Sequence, residues 1–276
     1  LAGETSGAAV MHLQPFKGSE LKIARARTHL DELKSKLALF GEGLEVQIVR
    51  IGETEHHDHY TMAFNKSPPD DIPIIIGDAV HNLRAALDLM MGDVARVLNV
   101  SRKEVKFPFA ESREAFENLI RKQPYSRLGS EIVETLVAMG PFRDGNGALR
   151  GLHDLDITDK HKAVLPTYVA AWGRIVIPEA FNNMIAQAFG FEFNQSRTPY
   201  CEGAKIVVAK GINPLSMLDE VEGAPEPIFR PGSPFAMDPV IHTLENLTNM
   251  VAAIVVIFEG KVKGADPKEV VGDTKD

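Results

Sequence analysis

Apolar residues recur on a helical repeat across residues 71–98, but one edge of that helix is ionisable. Leu83, Leu87, Met90, Met91, Val94 and Leu98 cover one side. On the other, at about 100° per residue, His81, Arg84 and Asp88 fall within roughly 60° of one another. Asp78 and Asn82 flank them. A helix this apolar packs against other elements, and buried ionisable groups are costly unless paired. The pattern therefore predicts a partner for the stripe.

The same periodicity predicts a first helix over 19–40, with Ile23, Ala26, Leu30, Leu33, Leu37 and Phe40 as its seam. Gly41 and Gly43 end it. Residues 44–51 alternate as a strand, and 59–65 read as its return, with a polar turn over 52–58. Pro68-Pro69-Asp70-Asp71 breaks the chain before the long helix; Asp70 or Asp71 serves as N-cap, with Pro73 in the first turn.

Phe107-Pro108-Phe109 reads as a short extended piece, followed by two short helices at 112–122 and 130–139. Residues 149–165 are helical by periodicity, with Thr158 as a candidate interruption. Between Pro166 and Pro234 prolines, glycines and β-branched runs predict antiparallel strands, among them 168–177 and 204–209. Pro199 and Tyr200 read as turn residues, and Trp172 as packing. A last helix over 238–259 has Val240, Leu244, Leu247, Val251, Ile254 and Phe258 on one seam.

The expected architecture is α+β: mainly a helical bundle, with a β-hairpin and a β-rich insertion. It forms one domain over 11–264, with bundle helices from 19–165 and 238–259 and the insertion at 166–234. Residues 1–10 and 265–276 read as disordered tails. The size and 44% hydrophobic content of the 276-residue chain suit one large domain with an inserted part.

Charge and cysteine content narrow the function classes. With 38 acidic against 30 basic residues, the net charge is −8, which disfavours non-specific nucleic-acid binding without a local basic groove. The single cysteine, Cys201, forms no intrachain disulfide, which fits a reducing cytoplasm. No run of about 18 uninterrupted apolar residues occurs, so no membrane partner is expected. The longest such run, Met250 to Phe258, has nine residues. No phosphate loop, nucleophile elbow, His-Glu-x-x-His run or cysteine pair is present.

Three constellations carry candidate chemistry. The first is His81, Arg84 and Asp88, with Arg84 and Asp88 at i, i+4 for a salt bridge. The second is His153, Asp156 and Lys160, which share a face at i, i+3, i+7 among Leu149, Leu152, Leu155 and Ala163. Two facing stripes would satisfy each other's charges and build a site between bundle helices. The third is His56-His57-Asp58-His59: on a strand, His57 and His59 point to one face at a spacing that can chelate a divalent metal, and the sequence names no other cofactor. A solvated histidine cluster is the simpler reading.

His81-Asn82-Leu83-Arg84-Ala85-Ala86-Leu87-Asp88, Phe107-Pro108-Phe109 and Asp159-Lys160-His161-Lys162 together resemble a widespread group of uncharacterised bacterial proteins, in order and spacing, across about 70–165. The resemblance implies a shared site and names no reaction. More distantly, the first motif resembles the Arg-x4-His signature of HEPN-type helical ribonucleases, which implies phosphodiester chemistry. This chain has Leu89 five residues after Arg84, so the imidazole would have to come from His81, His153 or His161.

Three functions follow. One is hydrolysis of a small-molecule or ester-type substrate, with His81 or His153 as base, Asp88 and Asp156 orienting imidazoles, and Arg84 and Lys160 stabilising negative charge. Another is an RNA-directed HEPN-like protein. The third is a non-catalytic ligand-binding or oligomeric scaffold, with the first helix's seam packing against a second copy.

Overall fold

A computed structural model describes residues 14–100, 105–161, 167–175, 197–201, 205–210 and 218–264. The fold is α+β and mainly helical. In chain order the elements are α1 (Lys17–Gly41), β1 (Val46–Glu53), β2 (His57–Phe64), α2 (Ile72–Val97), α3 (Arg113–Ile120), a 3-10 turn (Tyr125–Arg127), α4 (Ser130–Met139), α5 (Gly147–His161), β3 (Thr167–Ile175), β4 (Arg197–Cys201), β5 (Lys205–Ala209), β6 (Leu218–Phe229) and α6 (Val240–Gly264).

The chain forms two compact units. Of the described residues, the first holds 14–27, 80–100, 105–156 and 246–264; the second holds 28–79, 157–161, 167–175, 197–201, 205–210 and 218–245. Helices α1, α2, α5 and α6 each give residues to both.

In the first unit the core is made by Ile23 and Ala26 of α1, Leu83, Leu87, Met90, Met91 and Val94 of α2, Leu149, Leu152 and Leu155 of α5, and Leu247, Val251, Ile254 and Phe258 of α6. These are the apolar positions that the 3.6-residue period places on one face. Ser19 Oγ donates to the Ala86 carbonyl at 3.0 Å and Lys22 Nζ to Asn82 Oδ1 at 3.1 Å, pinning α1 along α2. The loop before α5 is set by its residues. Asn146 Oδ1 accepts the Leu149 N–H at 3.0 Å and its carbonyl the Arg150 N–H, so Asn146 caps the helix. A Cβ at Gly145 would lie 2.3 Å from the Gly140 carbonyl oxygen, which restricts that position to glycine. Thr158 does not interrupt α5.

In the second unit the β1–β2 hairpin has the expected antiparallel pairing, with Val46 opposite Phe64 and a register shift between Arg50 and Gly52. Its turn is tighter than expected: Thr54 N–H donates to the His57 carbonyl at 2.7 Å. Strand β5 joins β2 rather than the other strands of the 166–234 segment, giving the order β1-β2-β5; the second sheet is β4-β3-β6. Pro199 and Tyr200 lie inside β4, opposite Trp172 and Ala171, and are not turn residues. The Asp71 carbonyl accepts the Ile75 N–H at the start of α2, while its carboxylate pairs with Lys36 at 2.8 Å.

Helix α6 is longer than the expected 238–259 span. By length and composition it is apolar enough to cross a membrane, which the nine-residue run at 250–258 did not suggest. Its buried residues lie every third or fourth position, the pattern of a helix packed by one face in a core.

Candidate functional site

The first unit brings the two polar stripes together. In it α2 and α5 pair in opposite directions: His81 meets Asp156, and one turn further along α2, Arg84 meets His153. This is what the sequence spacing requires if both ionisable edges are to be satisfied inside apolar surroundings.

His81 Nδ1 lies 3.0 Å from Asp156 Oδ1. The two side chains differ in environment: that of Asp156 is 6% exposed and that of His81 46%. A carboxylate accepts, so the shared proton sits on Nδ1, and in the tautomer with that single ring proton Nε2 keeps its lone pair. A buried carboxylate behind an open imidazole is the arrangement that orients a general base.

Arg84 is spent on internal contacts. Its Nη1 donates to Asp88 Oδ1 at 2.5 Å, its Nε to His153 Nδ1 at 3.4 Å, and its guanidinium carbon lies 4.6 Å from the centre of the Phe109 ring. The side chain is 9% exposed. Asp88 Oδ1 also accepts the Phe107 N–H at 2.9 Å. Asp88 therefore orients a guanidinium and a backbone segment, not an imidazole as the sequence suggested.

His153 stacks on Phe109, with ring centres 4.3 Å apart and planes 4° from parallel. Burial, then the nearby Arg84 and Arg150 charges, lowers its pKa to about 4. It is neutral at pH 7, and since Arg84 Nε can only donate, Nδ1 accepts and the ring proton sits on Nε2. His153 is thus a donor and not the alternative base.

Lys160 and His161 belong to α5, but their side chains fall outside the described residues. In the second unit Asp159 rests on α2 at Gly77, where an added Cβ would lie 2.5 Å from Oδ1. His57 and His59 share a face of β2, as expected. Among the described residues, however, no group of three or more His, Cys, Asp or Glu is placed to hold a metal ion. Cys201 lies in β4.

Three residues at the site escaped sequence reasoning. Phe109 supplies the aromatic surface, and its signal was the Phe-Pro-Phe segment between helices. Arg150, one turn before His153 and buried, carried an i, i+4 signal with Asp154. Tyr125 donates to the Lys106 carbonyl at 2.9 Å; burial, and next the Asp88 charge, raises its pKa. A separate groove of about 680 Å³ in the first unit, lined by Ile120, Arg121, Ser130 and Val133 among others, includes none of these side chains.

Comparison with known protein families, characterised proteins and solved structures finds no match for this chain.

Proposed function

We propose that the protein is a hydrolase acting on a small-molecule ester by general acid/base catalysis, with His81 as base. One observation carries the reading: a buried carboxylate, Asp156, hydrogen-bonded to the inner nitrogen of an imidazole whose ring is half exposed. In this scheme His81 Nε2 takes a proton from water as the water oxygen bonds to the ester carbonyl carbon. The His153 Nε2–H stabilises the resulting oxyanion. The intermediate then expels the alcohol oxygen, which receives the proton back from the His81 imidazolium. The products are an acid and an alcohol, and the imidazole is regenerated. Asp156 stabilises the imidazolium formed midway. Arg84 and Asp88 hold His153 and the 107–109 segment in place. The substrate is a small molecule in a reducing cytoplasm.

A non-catalytic reading is favoured by one observation: Arg84 pairs with Asp88 and bonds His153 while its side chain is only 9% exposed, so its charge is already answered inside the protein. Turnover of a panel of p-nitrophenyl carboxylic esters separates the two. Hydrolysis that disappears in His81→Ala, with an unchanged melting temperature, supports the hydrolase. Hydrolysis equal in both proteins, or none in either, supports the scaffold.

A further inference from the structure

The segment from Phe107 to Glu111 is clamped at both ends. At one end the Phe107 N–H donates to Asp88. At the other, Arg150 Nη1 donates to the Ala110 carbonyl at 2.7 Å and Nη2 to Glu111 Oε1 at 2.7 Å. Arg143 holds the second Glu111 oxygen at 2.9 Å. Phe109 lies between the clamps and stacks on His153. The Arg150 side chain is 7% exposed and also pairs with Asp154 at 2.8 Å, so its fork cannot swing away.

We infer that Arg150, anchored by Glu111, is a positioning residue for His153: its guanidinium fork fixes the 107–111 strap so that Phe109 covers one face of the imidazole. The fork matters because two fixed donors reach a carbonyl and a carboxylate at once, which a lysine ammonium on a flexible stem does not do in one geometry. Covering the ring withdraws water from it and disfavours its charged form. The groups that act on His153 electrostatically are Arg84 from α2 and Arg150, Asp154 and Asp156 from α5, with burial the largest influence. The strap therefore sets whether His153 is a neutral donor. The catalytic consequence rests on the hydrolytic reading above; the positioning itself does not.

The test is titration of His153 by two-dimensional 15N NMR on the full chain, in wild type, Arg150→Lys, Glu111→Ala and Arg143→Ala. Arg150→Lys keeps the charge and loses the fork. Charge alone predicts no change there, whereas the strap predicts a rise from about 4 toward the ordinary value near 6.5. Glu111→Ala removes a negative charge, which by itself would lower the pKa; loss of the strap raises it. Arg143→Ala leaves both Arg150 contacts and the titration unchanged. An unmoved or lowered value in Glu111→Ala overturns the inference, as does an equal rise in Arg143→Ala. If Arg150→Lys does not fold, Glu111→Ala decides alone, since Glu111 is 69% exposed. Esters that are not hydrolysed would defeat the functional reading and leave the titration result standing.

Discussion

Asp156 places its buried carboxylate 3.0 Å from Nδ1 of His81, whose ring opens to solvent. The pair fixes which nitrogen of the imidazole is basic. Asp156→Asn is close in shape, but its amide can donate to Nδ1, which would move the proton to Nε2 and remove the base. The expected outcome is a loss in kcat on the order of 10²–10⁴, the usual contribution of a positioned acid or base, with little change in KM. Steady-state kinetics on the ester panel checks it. A kcat within twofold of wild type would show that the pair has no catalytic role.

His153 makes stability depend on pH. The unfolded chain protonates this group near 6.5 and the folded chain near 4, so between those values the unfolded state binds more protons. Its contribution is complete above about pH 6.5, declines as pH falls toward 4, and is gone below. Urea midpoints measured from pH 8 to pH 3.5 in wild type and His153→Gln isolate it from the carboxylates. The variant should show a shallower decline between pH 6.5 and 4. Parallel curves would mean that the ring titrates normally in the fold.

Gly77 and Asp159 meet at contact distance in the second unit. A Cβ at 77 would lie 2.5 Å from Oδ1 and 2.8 Å from Cγ of Asp159. Gly77→Ala should push the Asp159 carboxylate aside, a cost that offsets alanine's better helix propensity. Asp159→Ala in the same chain removes the obstacle. The double-mutant cycle should therefore show coupling of about 0.5 kcal/mol or more, read from denaturant midpoints. Additive effects would rule out the contact.

Asn146 caps α5 about two turns before His153. Its replacement by alanine should cost about 1 kcal/mol, and serine should restore most of it. Thermal melts of the two variants test this. An alanine variant as stable as wild type would mean that Leu149 N–H finds another acceptor.

What was legible in the sequence was periodic. The stripe at 81, 84 and 88 and the face at 153 and 156 follow from helix geometry, and because buried charges require partners, their meeting could be anticipated. The hairpin was readable because alternation and a polar turn lie close together in the chain. What was not legible depends on contacts between distant residues. Strand β5 pairs with β2 across some 140 residues of chain, and nothing local marks that choice. Pro199 looked like a turn but occupies β4. The roles of His81 and His153 could not be separated, because the burial of His153 under Phe109 depends on a loop whose path is not periodic. Lys160 was chosen by the same spacing as Asp156, but its side chain lies outside the described residues.

In the proposed hydrolase, Asp156 holds the His81 proton on Nδ1 and leaves Nε2 as the base. Long-range 15N–1H correlation spectra at pH 8 read the tautomer of each histidine directly. A protonated Nδ1 and a bare Nε2 are expected for His81, with the tautomer reversed in Asp156→Asn. A wild-type His81 carrying its proton on Nε2, unaltered by that substitution, would contradict this assignment.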